Sequence, residues 1–102
     1  MKRVMVRYKL KPDRVAENEE LVRAVYAELH RTEPDGLRYA TFKLEDGVSF
    51  VHLASTETAD GRNPLSDVEA FKEFQKGIGD RCEEPPVVTQ LETVGSFRLF
   101  GN

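Results

Sequence analysis

Between Tyr39 and Ser55 two β-rich, alternating runs flank Asp46-Gly47, a dipeptide that favours a tight hairpin because both residues tolerate left-handed backbone. With Asp46 and Gly47 at the tip, Glu45 opposes Val48, Lys43 opposes Phe50 and Thr41 opposes His52, and opposed residues share a face of the sheet. One face then carries Ala40, Phe42, Leu44, Val51 and Leu53, which is apolar and suits a core. The other carries Tyr39, Thr41, Lys43, Val48, Phe50 and His52, a mixture too apolar for water and too polar for an ordinary core. The hairpin therefore predicts one buried side and one side that needs a cover.

The segments on either side say what the hairpin joins. Lys2 to Leu10 alternates strictly, with Val4, Val6, Tyr8 and Leu10 on the side to be buried and Arg3, Met5, Arg7 and Lys9 opposite. Lys11-Pro12-Asp13 breaks the strand, and from Arg14 to His30 the period becomes helical, with Val15, Leu21, Val22, Val25 and Leu29 in one stripe. Acidic residues crowd its first turns while His30 and Arg31 lie in its last, as the helix dipole favours. Glu33-Pro34-Asp35-Gly36 stops it. After the hairpin a polar loop, Thr56 to Asn63, leads to a second helix whose start is signalled twice, by Asn63-Pro64 and by the capping pattern Ser66-x-x-Glu69. Val68, Phe71, Phe74 and Ile78 give it an apolar stripe, and Gly77 and Gly79 end it. Glu83-Glu84-Pro85-Pro86 reads as a rigid acidic connector, Val87 to Val94 as a fourth strand and Phe97 to Phe100 as a short terminal one.

The order β-α-β-β-α-β, with right-handed crossovers, predicts a ferredoxin-like α+β sandwich: a four-stranded antiparallel sheet with both helices on one face. The 102 residues, with no linker or shift in composition, are expected to form one domain over residues 1–102. Strand one then lies beside strand three, and Met5 and Arg7 are expected next to Phe50 and His52 on the helix-free face. A single cysteine excludes an internal disulfide. No apolar run approaches the ~20 residues that span a bilayer. The N-terminal Met-Lys-Arg-Val-Met-Val-Arg lacks the unbroken apolar stretch of a signal peptide, so a cytoplasmic protein with no membrane partner is expected.

Two covers suit a helix-free sheet face. One is RNA, since Asp46 to Leu53 resembles the RNP1 run of RNA-recognition motifs. Only Phe50 stands where a stacking aromatic is needed, with Val48 and Met5 at the other two sites. With a net charge of −3, from 15 basic and 18 acidic residues, no nucleic-acid partner is expected. The other cover is a second copy of the chain. The alternating first strand, the acidic-to-basic helix, Pro34-Asp-Gly-Leu-Arg-Tyr39 leading into strand two and Glu69-Ala-Phe-Lys-Glu-Phe74 on the second helix together resemble the dimeric α+β barrel superfamily, which includes antibiotic-biosynthesis monooxygenase-like proteins.

That resemblance implies a homodimer closed through the helix-free face, with the terminal Phe97 to Phe100 reaching toward the partner. It also implies a small organic ligand, aromatic or polyketide-like, held between sheet and helices or within the barrel. It implies a monooxygenase-like activity with no metal and no bound cofactor, the alternative being a non-catalytic ligand-binding or structural dimer. Many such proteins carry a histidine on the second helix, where this chain has Phe71-Lys-Glu-Phe74-Gln75. A chain without tryptophan lacks the Asn/Trp/His arrangement of the haem-degrading branch.

His52 is the candidate general base, because a neutral imidazole can accept a proton near pH 7; the structural alternative is a hydrogen bond across the dimer interface. Arg7 and Tyr39, with Phe50 and Met5, are the candidate ligand-binding residues, Arg7 through bidentate pairing with an acidic or phenolic group. His30 reads as a helix-end residue. Cys82, followed by Glu83-Glu84, is expected to have a raised thiol pKa and to be unreactive. No motif with metal-ligand spacing, no phosphate-binding loop and no nucleophile elbow is present.

Overall fold

A computed structural model describes residues 1–99. Strand β1 (Lys2–Leu10) leads through a 3-10 turn at Pro12–Arg14 to helix α1 (Val15–Thr32). Strands β2 (Leu37–Lys43) and β3 (Ser49–Thr56) form the hairpin. A 3-10 turn at Pro64–Asp67, helix α2 (Glu69–Lys76) and the single-turn helix α3 (Ile78–Arg81) precede strand β4 (Cys82–Leu91). The sheet is antiparallel with order β2-β3-β1-β4, the predicted ferredoxin-like α+β arrangement with the helices on one face.

Of the two start signals of the second helix only Asn63-Pro64 acts: the Ser66 hydroxyl donates to the Asn63 carbonyl inside the 3-10 turn, and the capping pattern Ser66-x-x-Glu69 does not form. Asn63 accepts a hydrogen bond from the Leu65 N–H and opens the 3-10 turn; α2 itself starts at Glu69. Val68 offers α2 no side-chain cap. The carboxylate of Glu28 on α1 accepts the Glu69 and Ala70 N–H groups instead, at 3.1 and 2.9 Å, and so fixes α2 laterally against α1. Helix α1 ends at Glu33 with φ of 45°, and Gly36 follows with φ of 77°, where a Cβ would stand 2.7 Å from the Thr58 methyl.

The hairpin register is the one the sequence predicts: Lys43 opposes Phe50 and Thr41 opposes His52. The tip is wider than two residues. Gly47 N–H bonds to the Leu44 carbonyl, and Asp46 accepts hydrogen bonds from the backbone of Val48 and Ser49 and from the Ser49 hydroxyl.

The face assignment is overturned. Phe50 and His52, expected on the helix-free side, are 3% and 4% exposed beneath the helices, whereas Phe42, expected in the core, is 52% exposed. The cause is the β1–β3 register, in which Tyr8 opposes Phe50 and Val6 opposes His52. The buried face of β1 thereby dictates which face of the hairpin is buried with it. A shift of one residue turns every side chain to the other side, and the expected adjacency of Met5 and Arg7 to Phe50 and His52 is that shift. Met5 opposes Leu53 and Arg7 opposes Val51, so both stand on the helix-free face with Ala40 and Phe42.

Two further expectations fail at the C-terminal end. Glu83 to Pro86 is not a connector but the start of β4, pairing Leu10 with Cys82 and Lys9 with Glu84 across register shifts. An edge strand accommodates Pro85 and Pro86 because one side of its ladder needs no N–H donor. Strand β4 ends at Leu91 rather than Val94, and residues 97–99 form no strand; Phe100 lies outside the described residues. Leu99 borders a groove of about 170 Å3 on the helix-free face with Phe42, Leu53 and Leu91.

The core gathers Tyr8, Leu10, Val25, Phe50, Leu65, Val68 and Phe74. Phe50→Ala is therefore expected to lower the unfolding free energy by about 3–5 kcal/mol, and Phe42→Ala by less than about 1 kcal/mol, in urea titrations of dilute protein. The reverse order would restore the face assignment made from composition.

Candidate functional site

The polar residues of the buried face find partners in one another. Tyr8 comes from β1, Asn18 from α1, Tyr39 and Thr41 from β2, His52 from β3 and Arg81 from α3. His52 is central: its Nε2 is 2.7 Å from the Tyr8 hydroxyl and its Nδ1 is 2.6 Å from the Tyr39 hydroxyl and 3.2 Å from that of Thr41. Thr41 in turn lies 2.8 Å from the Tyr26 hydroxyl on α1. At the inner end Asn18 Nδ2 donates to the Tyr8 hydroxyl at 3.0 Å, and Arg81 Nε donates to Asn18 Oδ1 at 3.1 Å. Arg81, 2% exposed, also donates to the Phe74 carbonyl at 2.7 Å and sits 5.3 Å from the centre of the Phe74 ring. Among the described residues no buried side-chain nitrogen or oxygen lacks a partner, which is what allows so polar a cluster to be buried.

Burial sets the protonation states. It depresses the His52 imidazolium from 6.5 to about 4, so the ring is neutral at physiological pH. It also pushes the Tyr8, Tyr39 and Tyr26 hydroxyls above the usual phenol range, and all three stay protonated. Cys82 is buried and its thiol is pushed up by that burial; neighbouring Arg81 acts in the opposite, weaker sense. The direction agrees with the sequence-based expectation, but desolvation rather than Glu83 and Glu84 is the main cause.

Above this cluster lies a cavity of about 400 Å3 between the sheet and the α2–α3 segment, within the usual range for small-molecule sites. Tyr8, Tyr39 and His52 form its polar wall, Val4, Val6, Ala54 and Val88 the rest of the sheet side, and Phe71, Phe74, Ile78 and Leu65 the helix side; Asn63 and Gln75 add neutral amides. Among the described residues no charged side chain lines it. Tyr39 and Phe71 meet edge to face, and Phe71 and Phe74 are stacked with centroids 6.1 Å apart, so the walls are largely aromatic planes.

Of the predicted site residues, Tyr39 and His52 meet here, and Phe50 lies beneath them, stacked on Tyr8 at 5.6 Å. Met5 and Arg7 are not part of this site. They border a separate groove of about 290 Å3 on the opposite face, with Lys9, Glu84 and Val87. Arg7 is exposed and cannot hold a ligand in the cavity that His52 lines. The interaction expected for His52 across an interface is made within the chain. Sequence reasoning missed Tyr8, Asn18 and Arg81. For Asn18 a signal existed: the stripe Val15, Val22, Val25, Leu29 has its second position at residue 18, and a polar residue there is either an error of packing or a buried partner. Among the described residues no group of three or more His, Cys, Asp or Glu could hold a metal ion, and no helix is long and apolar enough to cross a membrane.

No family model and no curated protein sequence matches the chain. Solved structures do. A crystal structure described as an antibiotic biosynthesis monooxygenase superposes with a TM-score of 0.73 over 93% of this chain and 100% of its own, at 21% identity. The chain has the antibiotic biosynthesis monooxygenase fold. Rv0793 from Mycobacterium tuberculosis gives a TM-score of 0.66 over 93% of this chain and 96% of its own, at 22% identity. NE2512 from Nitrosomonas europaea, a protein of unknown function, gives 0.71 over 94% and 91%, at 13% identity. Likeness at these identities establishes the antibiotic biosynthesis monooxygenase fold and leaves the chemistry to the site.

The buried neutral histidine has a pH signature. In the unfolded chain His52 takes a proton near pH 6.5, but in the folded chain only near pH 4, so the unfolded state gains protons first as the pH falls. Stability is therefore lost between pH 6.5 and pH 4, and this contribution levels off below. From pH 7 to pH 5 the loss is about 2 kcal/mol, which His52→Gln should remove from denaturant-derived stability profiles.

Proposed function

We propose that the cavity between sheet and helices binds a small, uncharged, flat molecule, aromatic or polyketide-like, and that the protein is a monooxygenase-like enzyme acting on it without metal or bound cofactor. The observation that carries the ligand class is the lining: aromatic walls, one hydroxyl–imidazole wall and, among the described residues, no charged side chain. A carboxylate or phosphate would lose its hydration there and meet no cation, whereas a neutral ring system loses little and gains stacking area. The likeness to a structure described as an antibiotic biosynthesis monooxygenase supports oxygenation as the reaction class.

Within this site His52 serves as a positioning group rather than the general base. Both ring nitrogens already face tyrosine hydroxyls, and an imidazole with a pKa of about 4 is a weak proton acceptor at neutral pH. That same occupancy favours the second reading, a ligand-binding module without chemistry. Under either reading the chain works as a homodimer through the helix-free face, where Phe42 is 52% exposed beside Leu53 and Leu91 and Val87 is 62% exposed beside Met5 and Arg7.

Thermal-shift titration tests the site. 1-Tetralone and 1-naphthol are expected to raise Tm with concentration and 2-naphthoate to leave it unchanged. Val88→Trp, a substitution at a 65% exposed position, is expected to abolish the shifts without unfolding the protein. Shifts that survive in V88W, or no shift with any neutral bicyclic compound, would refute the assignment. Oxygen uptake with an electron-rich neutral ligand separates enzyme from binding module. Sedimentation is expected to give a dimer that Phe42→Lys splits.

A further inference from the structure

Every hydrogen in the buried chain of contacts can be placed from one fixed point. A guanidinium only donates, so Arg81 Nε at 3.1 Å requires the atom it meets on Asn18 to be the carbonyl oxygen. That settles the amide orientation, which position alone would leave open, and makes Asn18 Nδ2 the donor to the Tyr8 hydroxyl at 3.0 Å. The Tyr8 hydroxyl has one other partner, His52 Nε2 at 2.7 Å, so its hydrogen points there and Nε2 is the acceptor. A neutral imidazole with an accepting Nε2 carries its hydrogen on Nδ1, and that hydrogen faces the Tyr39 oxygen at 2.6 Å. Tyr39 then receives on the His52 side, and its own hydrogen lies away from the ring. Thr41, 2.8 Å from the Tyr26 hydroxyl and 3.2 Å from His52 Nδ1, also hydrogen-bonds Tyr39 and is the acceptor within the chain that a ligand oxygen replaces. All polarity thus runs outward, from a buried cation to a tyrosine hydroxyl on the cavity wall.

We propose that Arg81 and Asn18 are specificity-determining positioning residues: by holding His52 as its Nδ1–H form they make Tyr39 a hydrogen-bond donor to the cavity, which therefore selects a ligand with a ketone or quinone oxygen over one with a phenolic hydroxyl. This rests on the cavity being a ligand site; the direction of the hydrogen bonds does not.

Asn18→Asp is the informative variant, because a carboxylate can only accept. It would still take the Arg81 hydrogen bond but would draw the Tyr8 hydrogen toward itself. Tyr8 would then accept from His52, the imidazole hydrogen would move to Nε2, and Tyr39 would donate to Nδ1 and offer the cavity a lone pair.

Two measurements are made on the full chain at pH 7. Long-range 1H–15N correlation spectra of the His52 ring, assigned against a His30→Gln control, are expected to show the Nδ1–H form in the wild type and the Nε2–H form in N18D. Titration with 1-tetralone and 1-naphthol is expected to favour the ketone about fivefold in the wild type and the naphthol in N18D, the size of one exchanged hydrogen bond. If N18D does not fold, Tyr8→Phe removes the hydrogen delivered to Nε2 and is expected to turn a single tautomer into a mixture. An Nε2–H ring in the wild type, or a tautomer that neither variant alters, overturns the proposal. A wild type with the Nδ1–H ring that binds both compounds equally overturns the specificity claim alone. Binding of neither compound, with the tautomers as expected, overturns the specificity claim by removing the ligand site on which it rests.

Discussion

The pairing of β1 with β3 decides nearly everything else about this protein. Tyr8 set opposite Phe50 and Val6 set opposite His52 put the polar half of the hairpin under the helices, where nothing but internal hydrogen bonds can satisfy it. Each later feature follows from that pairing. A buried imidazole needs two partners and has them in Tyr8 and Tyr39; a buried phenol needs a donor and has it in Asn18; a buried amide oxygen needs one and has it in Arg81. The cluster is fully satisfied, and a fully satisfied polar cluster in low dielectric is both rigid and specific.

The same constraint shapes the cavity. Phe71 and Phe74 on α2 pack toward Tyr39 and His52, and Glu28 on α1 anchors the start of that helix by accepting its free N–H groups. The aromatic side of the pocket is thus held by a helix-to-helix contact, while its polar side is held by the sheet. Arg81 links the two, bonding to Asn18 on α1 and to the Phe74 carbonyl on α2. A guanidinium buried without an ion pair among the described residues is unfavourable unless its hydrogen bonds are well placed, and here they tie three elements to one point.

The element order, the hairpin register and the Asn63-Pro64 start signal were legible in the sequence because they rest on local periodicity and turn chemistry. The choice of hairpin face was not. Ala40, Phe42, Val51 and Leu53 form the more apolar set, and composition alone would bury them; the side chains actually buried under the helices include His52 and Thr56. What composition cannot show is that His52, Tyr39 and Tyr8 satisfy one another once the strands align. The site was half visible for the same reason. Tyr39 and His52 stand out as single residues, but Arg81 reaches Asn18 from 63 positions away, and only the folded chain brings the two together. Met5 and Arg7 stand on the helix-free face as expected, and the one-residue offset between strands is what parts them from Phe50 and His52.

The central claim, that His52 is buried and neutral between two tyrosine hydroxyls, is open to direct measurement. The carbon-bound ring protons of His52, followed by NMR from pH 8 downward, should keep one chemical shift through the ordinary histidine range and begin to move only toward about pH 4. A titration centred near 6.5 would place the ring in water and contradict the account.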